Sequence, residues 1–213
     1  MHSNIMEQEQ PDEVTRQAIE EYSKTIAPNE IIEEGNFNTN VDTIREYIAD
    51  YIANTKERPT IIIDYLQILT PSNTKYTDKQ QMDYNVKILK QTSRDYNIPI
   101  IVISSFNRAN YNQEATLEAF KESGGIEYTA DVVLGLQFRL LADADLKLNK
   151  NGNLTKEAKE QINAEFTKTP RELQLVCLKN RNGKSFFKVD LNYYSAFNYF
   201  IEKKEDDRKH NRF

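Results

Sequence analysis

Two short runs built on consecutive isoleucines, on either side of one amphipathic segment, constrain this chain more than any other feature. The first is TIIIDYLQIL at 60–69, just after Pro59, and the second is IIVIS at 100–104, just after Ile98-Pro99. Consecutive isoleucines without polar alternation are the pattern of a strand buried on both faces, as in a parallel sheet. Between the two runs, at about 79–96, Met82, Val86, Leu89, Ser93 and Tyr96 fall on one helical stripe. Strand, helix and strand in that order predict a right-handed crossover. The expected class is therefore α/β, with a largely parallel sheet flanked by helices. DVVLGLQF, read as a strand at 131–138, repeats the theme.

The flanking segments add to this frame. Glu13–Thr25 reads as a helix and IIEE at 31–34 as a short strand, before the polar stretch Gly35–Asn40 breaks the chain. Asn40 suits a helix N-cap, with Asp42 in the first turn where the helix dipole favours an acid. Val41, Ile44, Ile48 and Ile52 follow at three- and four-residue spacing, marking one buried face. In the last third, ELQLVCLK (172–179) and SFFKVDL (185–191) flank Asn180-Arg181-Asn182-Gly183-Lys184, and Asn-Gly is a hairpin signal. A further strand at about 196–201 completes an antiparallel C-terminal edge. Between Arg139 and Pro170 lies a polar insertion with one helix, whose Leu154, Ala158, Ile162 and Phe166 recur four apart. Residues 1–200 are thus expected to form one domain with a helical insertion at 140–170, and 201–213 a disordered tail.

Composition narrows the function classes. No apolar run approaches the roughly 20 residues that cross a bilayer. The opening MHSNIMEQEQPDE is polar and acidic, unlike a secretory or transit signal. A cytoplasmic location is the expectation. The single cysteine, Cys177, rules out an internal disulfide and a cysteine-based zinc site, and its apolar setting in LQLVCL predicts a buried structural thiol. His2 and His210 lie in polar ends without metal-ligand spacing. Net charge is −5, but residues 1–40 carry nine acids and two bases, so the remainder sums to +2. Nucleic-acid contact would have to come from local loops.

Four places carry candidate chemistry. Asp64 stands directly after the first apolar strand, at the carboxyl end where open α/β sheets bind ligands. An acid there either holds the magnesium that bridges nucleotide phosphates or merely caps a helix. ISSFNRANYN at 103–112 ends the neighbouring strand on the same edge. Its Ser104, Ser105, Asn107 and Arg108 suit phosphate, nucleotide or DNA contact, or form an ordinary loop. In FKESGGIEYTADVV at 120–133, Gly124-Gly125 permits close approach of backbone to a phosphate chain and Lys121 adds charge. The same glycines equally mark a turn. KNRNGK at 179–184 holds three bases and no acid; it is either a solvated turn or a basic hairpin that reaches a neighbouring subunit's nucleotide.

The order and spacing of these pieces resemble the motor domain of DnaB-type replicative helicases and their phage or mobile-element relatives. IIIDYLQIL resembles that family's Walker B strand with its characteristic Asp-Tyr-Leu-Gln, and ISSFNR its following helicase motif. FKESGGIEYTADVV resembles its fourth motif and LKNRNGK its Lys-x-Arg-Asn-Gly hairpin. The match runs over about residues 30–195. It implies a RecA-like fold, incomplete at the N-terminus, and an ATP-dependent DNA helicase. It further implies magnesium at Asp64 with Gln67 close behind, and ATP contact involving Asp64, Gln67 and Ser105. Single-stranded DNA would meet Arg108, Lys121, Glu122 and Gly124. Lys179 and Arg181 would act on the adjacent subunit's ATP in a six-membered ring, with a primase or loader as partner. A recombination- or clock-type RecA-like ATPase fits less well, because Asp-Tyr-Leu-Gln and the hairpin favour helicases.

The chain departs from the family pattern in three places. Ser105 stands where the family usually has Gln, and Ser is too short to span the same distance. Lys121 stands where many relatives have Arg, keeping the charge without the bidentate fork. No G-x-x-x-x-G-K-[ST] loop occurs among the six glycines, Gly35, Gly124, Gly125, Gly135, Gly152 and Gly183. Relatives carry that loop and their catalytic glutamate upstream. The expectation is a C-terminal portion of a helicase, inactive alone and binding neither ATP nor magnesium tightly. The alternative is a catalytically dead, helicase-derived module that binds DNA or a partner.

Overall fold

The computed structural model describes residues 12–29, 38–107, 110–120, 124–142 and 154–204. Helix α1 (Glu13–Thr25) is capped by Asp12, whose carboxylate accepts from the Thr15 N–H at 2.8 Å. None of its residues is buried. The strand expected at 31–34 lies outside the described residues. Helix α2 (Val41–Thr55) starts where its cap predicts, since Asn40 Oδ1 accepts from the amides of Asp42 and Thr43. Val41 and Ile48 are buried and Ile44 and Ile52 partly so.

Strand β1 (Ile61–Ile63) and strand β2 (Ile100–Val102) pair in parallel, Ile62 opposite Ile101. They are joined through helix α3 (Asp78–Tyr96), which opens on a reciprocal capping box between Thr77 and Gln80. The fully buried stripe of α3 is Gln81, Asn85, Leu89 and Thr92 rather than the expected one. Its polar members find partners inside the helix, although Gln81 Oε1 stays buried without one. Gln81 donates to Asn85 Oδ1 at 2.6 Å and Thr92 to the Ile88 carbonyl at 2.8 Å, so burial carries a smaller penalty. Met82 and Val86 flank the core of Val41, Ile63, Leu66, Leu69 and Leu89.

Burial of the parallel strands on both faces is corrected. Successive strand residues face opposite ways, and among the described residues helices cover one face only. On the other, Ile62 is 66% exposed and Ile101 53%, with Ile103 beside them.

A second correction concerns strand β3 (Val132–Phe138). It pairs antiparallel with strand β4 (Arg171–Asn180), followed in order by β5 (Lys188–Tyr194) and β6 (Tyr199–Glu202). The α/β class stands, but the antiparallel part is a four-stranded sheet rather than an edge. In β3 the inward residues are Val133, Gly135 and Gln137, while Val132, Leu134 and Leu136 face out. Apolar residues on both faces hid this alternation in the sequence. Gly135 faces a tight spot, where an added Cβ would lie 2.8 Å from the Ala115 Cβ. Gln137 accepts from the Ala115 amide at 2.6 Å and donates to Gln174, which donates to Asp190. This buried amide ladder crosses β3, β4 and β5.

A register shift between Val133 and Leu134 puts a bulge in β4. Val176, Cys177 and Leu178 are therefore all buried in succession, and Cys177 is the structural thiol the sequence predicts. The Asn-Gly turn lies where expected but within the wider loop 181–187, with Phe186 at φ 61°. The short helix α4 (Gly124–Thr129) precedes β3, and its Ile126 packs against both hydrophobic clusters. Helix α5 (Lys156–Glu165) occupies the expected insertion, burying Ala158 and Ile162, and Phe166 meets Phe138 edge-on at 4.7 Å. The tail boundary at 201 shifts outward. β6 runs to Glu202, the Lys203 amide bonds to the Asp190 carbonyl at 2.9 Å, and its ammonium pairs with Glu172.

Candidate functional site

The carboxyl ends of β1 and β2 form one edge. Asp64 follows Ile63 directly and is exposed, with a cis peptide to Tyr65. Its carboxylate has no hydrogen bond or ion pair to a described residue. The turn Leu66–Ile68 then folds under the neighbouring strand end, and the Leu66 amide donates to the Ile103 carbonyl at 2.8 Å. Gln67 completes the join. Its Nε2 donates to Ser104 Oγ at 2.9 Å and to the Ser105 carbonyl at 3.2 Å, and its Oε1 accepts from the Ser105 amide at 3.3 Å. The side-chain amide thus extends the backbone ladder past the ends of the strands. Gln67 and Ser105 are brought together beside Asp64, but the Gln67 amide is committed to holding the Ser104–Ser105 segment.

Magnesium keeps several waters and takes one or two carboxylates plus substrate phosphates. The free Asp64 carboxylate fits the one-carboxylate share of such a site. Among the described residues no group of three His, Cys, Asp or Glu side chains forms a protein-only metal cage.

The second cluster lies around α4. Gly124 begins this helix, and Gly125 donates its amide to Asp83 Oδ1 at 3.1 Å. A Cβ at 125 would sit 2.7 Å from that oxygen, so a larger residue would have to displace the Asp83 carboxylate. The Gly125 amide is thus taken by an internal carboxylate. Arg108, Lys121 and Glu122 lie outside the described residues.

At the carboxyl end of α4, Lys179 Nζ donates to the Glu127 carbonyl at 2.5 Å and Arg181 Nη2 to the Tyr128 carbonyl at 3.0 Å. Cations there complement the helix dipole and its unpaired carbonyls. Arg181 Nη1 also pairs with Asp131 Oδ1 at 3.0 Å, and the Arg181 amide bonds to the Asp131 carbonyl at 2.8 Å. The other oxygen of Asp131 takes the ammonium of Lys90 from α3. The hydrogen bond from Lys90 holds the Asp131 carboxyl below the ordinary aspartate range; desolvation opposes it, and the charges of Lys90, Arg181 and Lys179 add to the lowering. Asp131, Lys90 and Asp83 were not singled out from the sequence. An acid next to an apolar strand, in a chain whose basic hairpin lacks one, was the available signal.

A match to the family described as DnaB-like helicase C-terminal domain spans residues 1–202. The chain belongs to this family. Among curated relatives, a probable replicative DNA helicase of Trieres chinensis is 28% identical over 172 residues, 78% of this chain and 34% of the relative. A replicative DNA helicase DnaB of Helicobacter pylori (strain ATCC 700392 / 26695) is 30% identical over 159 residues, 67% of this chain and 33% of the relative. The chain spans about a third of the length of these helicases. Among solved structures, a DnaB-like replicative helicase studied with its primase interactions superposes at TM-score 0.66 and 20% identity, over 89% of this chain and 40% of that one. A second solved structure, an isolated ATPase domain, gives 0.59 at 20% identity, over 78% of this chain and 52% of that one. These two likenesses show the fold, that of RecA-like ATPase domains in DnaB-like helicases. Among the described residues no helix is long and apolar enough to cross a membrane.

Proposed function

We propose that this DnaB-family chain is the C-terminal portion of an ATP-dependent, ring-forming DNA helicase that unwinds or translocates along single-stranded DNA in replication. The observation that carries the reading is the exposed Asp64 carboxylate at the carboxyl end of a parallel pair, beside a neighbouring strand end held by Gln67. In an assembled hexamer Asp64 supplies one oxygen ligand to the magnesium of Mg-ATP, and Gln67 and Ser105 keep the adjoining edge in place. Arg108, Lys121, Glu122 and Gly124 form the single-stranded DNA contact, which is largely to backbone phosphate and weakens steeply with salt. Lys179 and Arg181 stabilise charge on the neighbouring subunit's ATP. A primase or loader is the further partner.

No G-x-x-x-x-G-K-[ST] loop occurs in the sequence, so the chain alone is expected to show no Mg-ATP turnover, with or without oligo(dT). Labelled oligo(dT) is expected to bind at low salt and to lose affinity in Lys121→Ala and Arg108→Ala. DNA-stimulated ATP turnover abolished by Asp64→Ala would place a whole active site inside this chain and overturn the reading. So would the absence of any salt-sensitive DNA binding.

A further inference from the structure

The contacts of Asp131 join three parts of the chain that are distant in sequence. Its carboxylate takes Lys90 from α3 on one oxygen and Arg181 from the hairpin on the other. Its carbonyl accepts the Arg181 amide, so the hairpin is tied at both backbone and side chain. Lys179 and Arg181 also cover the last carbonyls of α4. The amino end of the same short helix is tied to α3 through Gly125 and Asp83. The bulge in β4 lies just before Lys179 and re-aims the strand towards this cluster. Two cations thus share one carboxylate, and the two hairpin cations, Lys179 and Arg181, lie against the carboxyl end of α4.

We propose that Asp131 is a positioning residue for Lys179 and Arg181: it locks the basic hairpin to α3 and to the carboxyl end of α4. The hairpin and the Gly124–Gly125 segment then behave as one body. What the locked pair serves rests on the helicase reading above; the lock itself does not. Under that reading, a displacement of the DNA-contacting segment is passed along the short helix α4 to the residues that meet the neighbour's ATP.

The lock is measured on the 213-residue chain without ATP or DNA, so its failure is separate from failure of the helicase reading. Trypsin must draw the Arg181 side chain into its own pocket, which a docked guanidinium resists, while Lys184 in the same loop serves as internal control. Releasing one such ion-paired contact in Asp131→Asn is expected to speed cleavage after Arg181 about tenfold, since cleavage follows the open population. Cleavage after Lys184 should stay as it was, and Asp131→Glu should recover most of the protection. Equal acceleration at both sites, an unchanged Arg181 rate, or no recovery with glutamate would overturn the proposal. If Asp131→Asn does not fold, the wild-type chain decides by guanidinium NMR, with Arg181→Lys for assignment. Slow rotation giving separate Nη signals for Arg181 is expected, and a freely averaging group would sink the idea.

Discussion

Asp131 sits where two cations from different elements share one carboxylate, and this makes its protonation a stability term. Its carboxyl is held below the ordinary aspartate value of 3.8, first by the hydrogen bond from Lys90. A group depressed on folding contributes stability that is fully present above its unfolded pKa and is lost as pH falls through the lower folded value. The side chain is 45% exposed, so solvent screens much of that contribution. Urea midpoints of the wild type and Asp131→Asn are expected to differ most at neutral pH and to converge only as pH falls below the unfolded aspartate value of about 3.9 and through the lower folded one. A gap that persists unchanged through acid would show that the loss came from packing rather than charge. Gln67 acts differently, through neutral hydrogen bonds alone, and removing its three contacts in Gln67→Ala should loosen the edge beside Asp64 without a pH signature.

At the scale of elements, the pairing of β3 with β4 depends on one small residue. Gly135 faces Ala115, Leu178 and Phe106, and even one methyl group would meet Ala115 at 2.8 Å. Gly135→Ala is expected to destabilise the chain by about 1–3 kcal/mol through overpacking, read as a lower urea midpoint at unchanged slope. A neutral or stabilising result would mean the Ala115 loop yields freely. Next to this contact the ladder of Gln137, Gln174 and Asp190 fixes which residues oppose one another, because a one-residue slip would leave buried amides unpaired. The helices are set more locally. Asn40 and Thr77 each satisfy amides that the first helical turn leaves open, a contribution of about 1 kcal/mol apiece.

For the whole molecule, the covered and bare faces of the strands decide behaviour in solution. Helices α2, α3 and α4 cover one side through the two clusters that Ile126 links. Ile62, Ile101 and Ile103 on the parallel pair, and Val132, Leu134 and Leu136 on β3, remain exposed to solvent. Apolar exposure of this kind favours association. The chain is expected to bind an apolar dye and to self-associate with rising concentration in sedimentation runs. The double substitution Ile62→Thr with Ile101→Thr keeps β-branched side chains in both strands and should weaken both signals several-fold. If neither signal moves, association runs through another surface, such as the exposed edge strand β6.

The sequence by itself determined the local elements and the family. Asn40 and Asp42 mark the start of α2 as the structure has it, Glu13–Thr25 is the helix read there, and Arg181 to Lys184 lies in the hairpin loop. Those features depend on hydrogen bonds and spacing within a few residues, so they can be read along the chain. IIIDYLQIL, ISSFNR and LKNRNGK likewise carried the helicase resemblance that the family match over residues 1–202 bears out. Only the tertiary structure decided which face of each strand is covered, that β3 runs antiparallel to β4, and that the buried stripe of α3 is partly polar. It alone brought Gln67 to Ser105, and Lys90 and Arg181 to Asp131, across 38, 41 and 50 residues of sequence. Such contacts form only when separate elements pack, and their energy depends on geometry that neither spacing nor composition encodes.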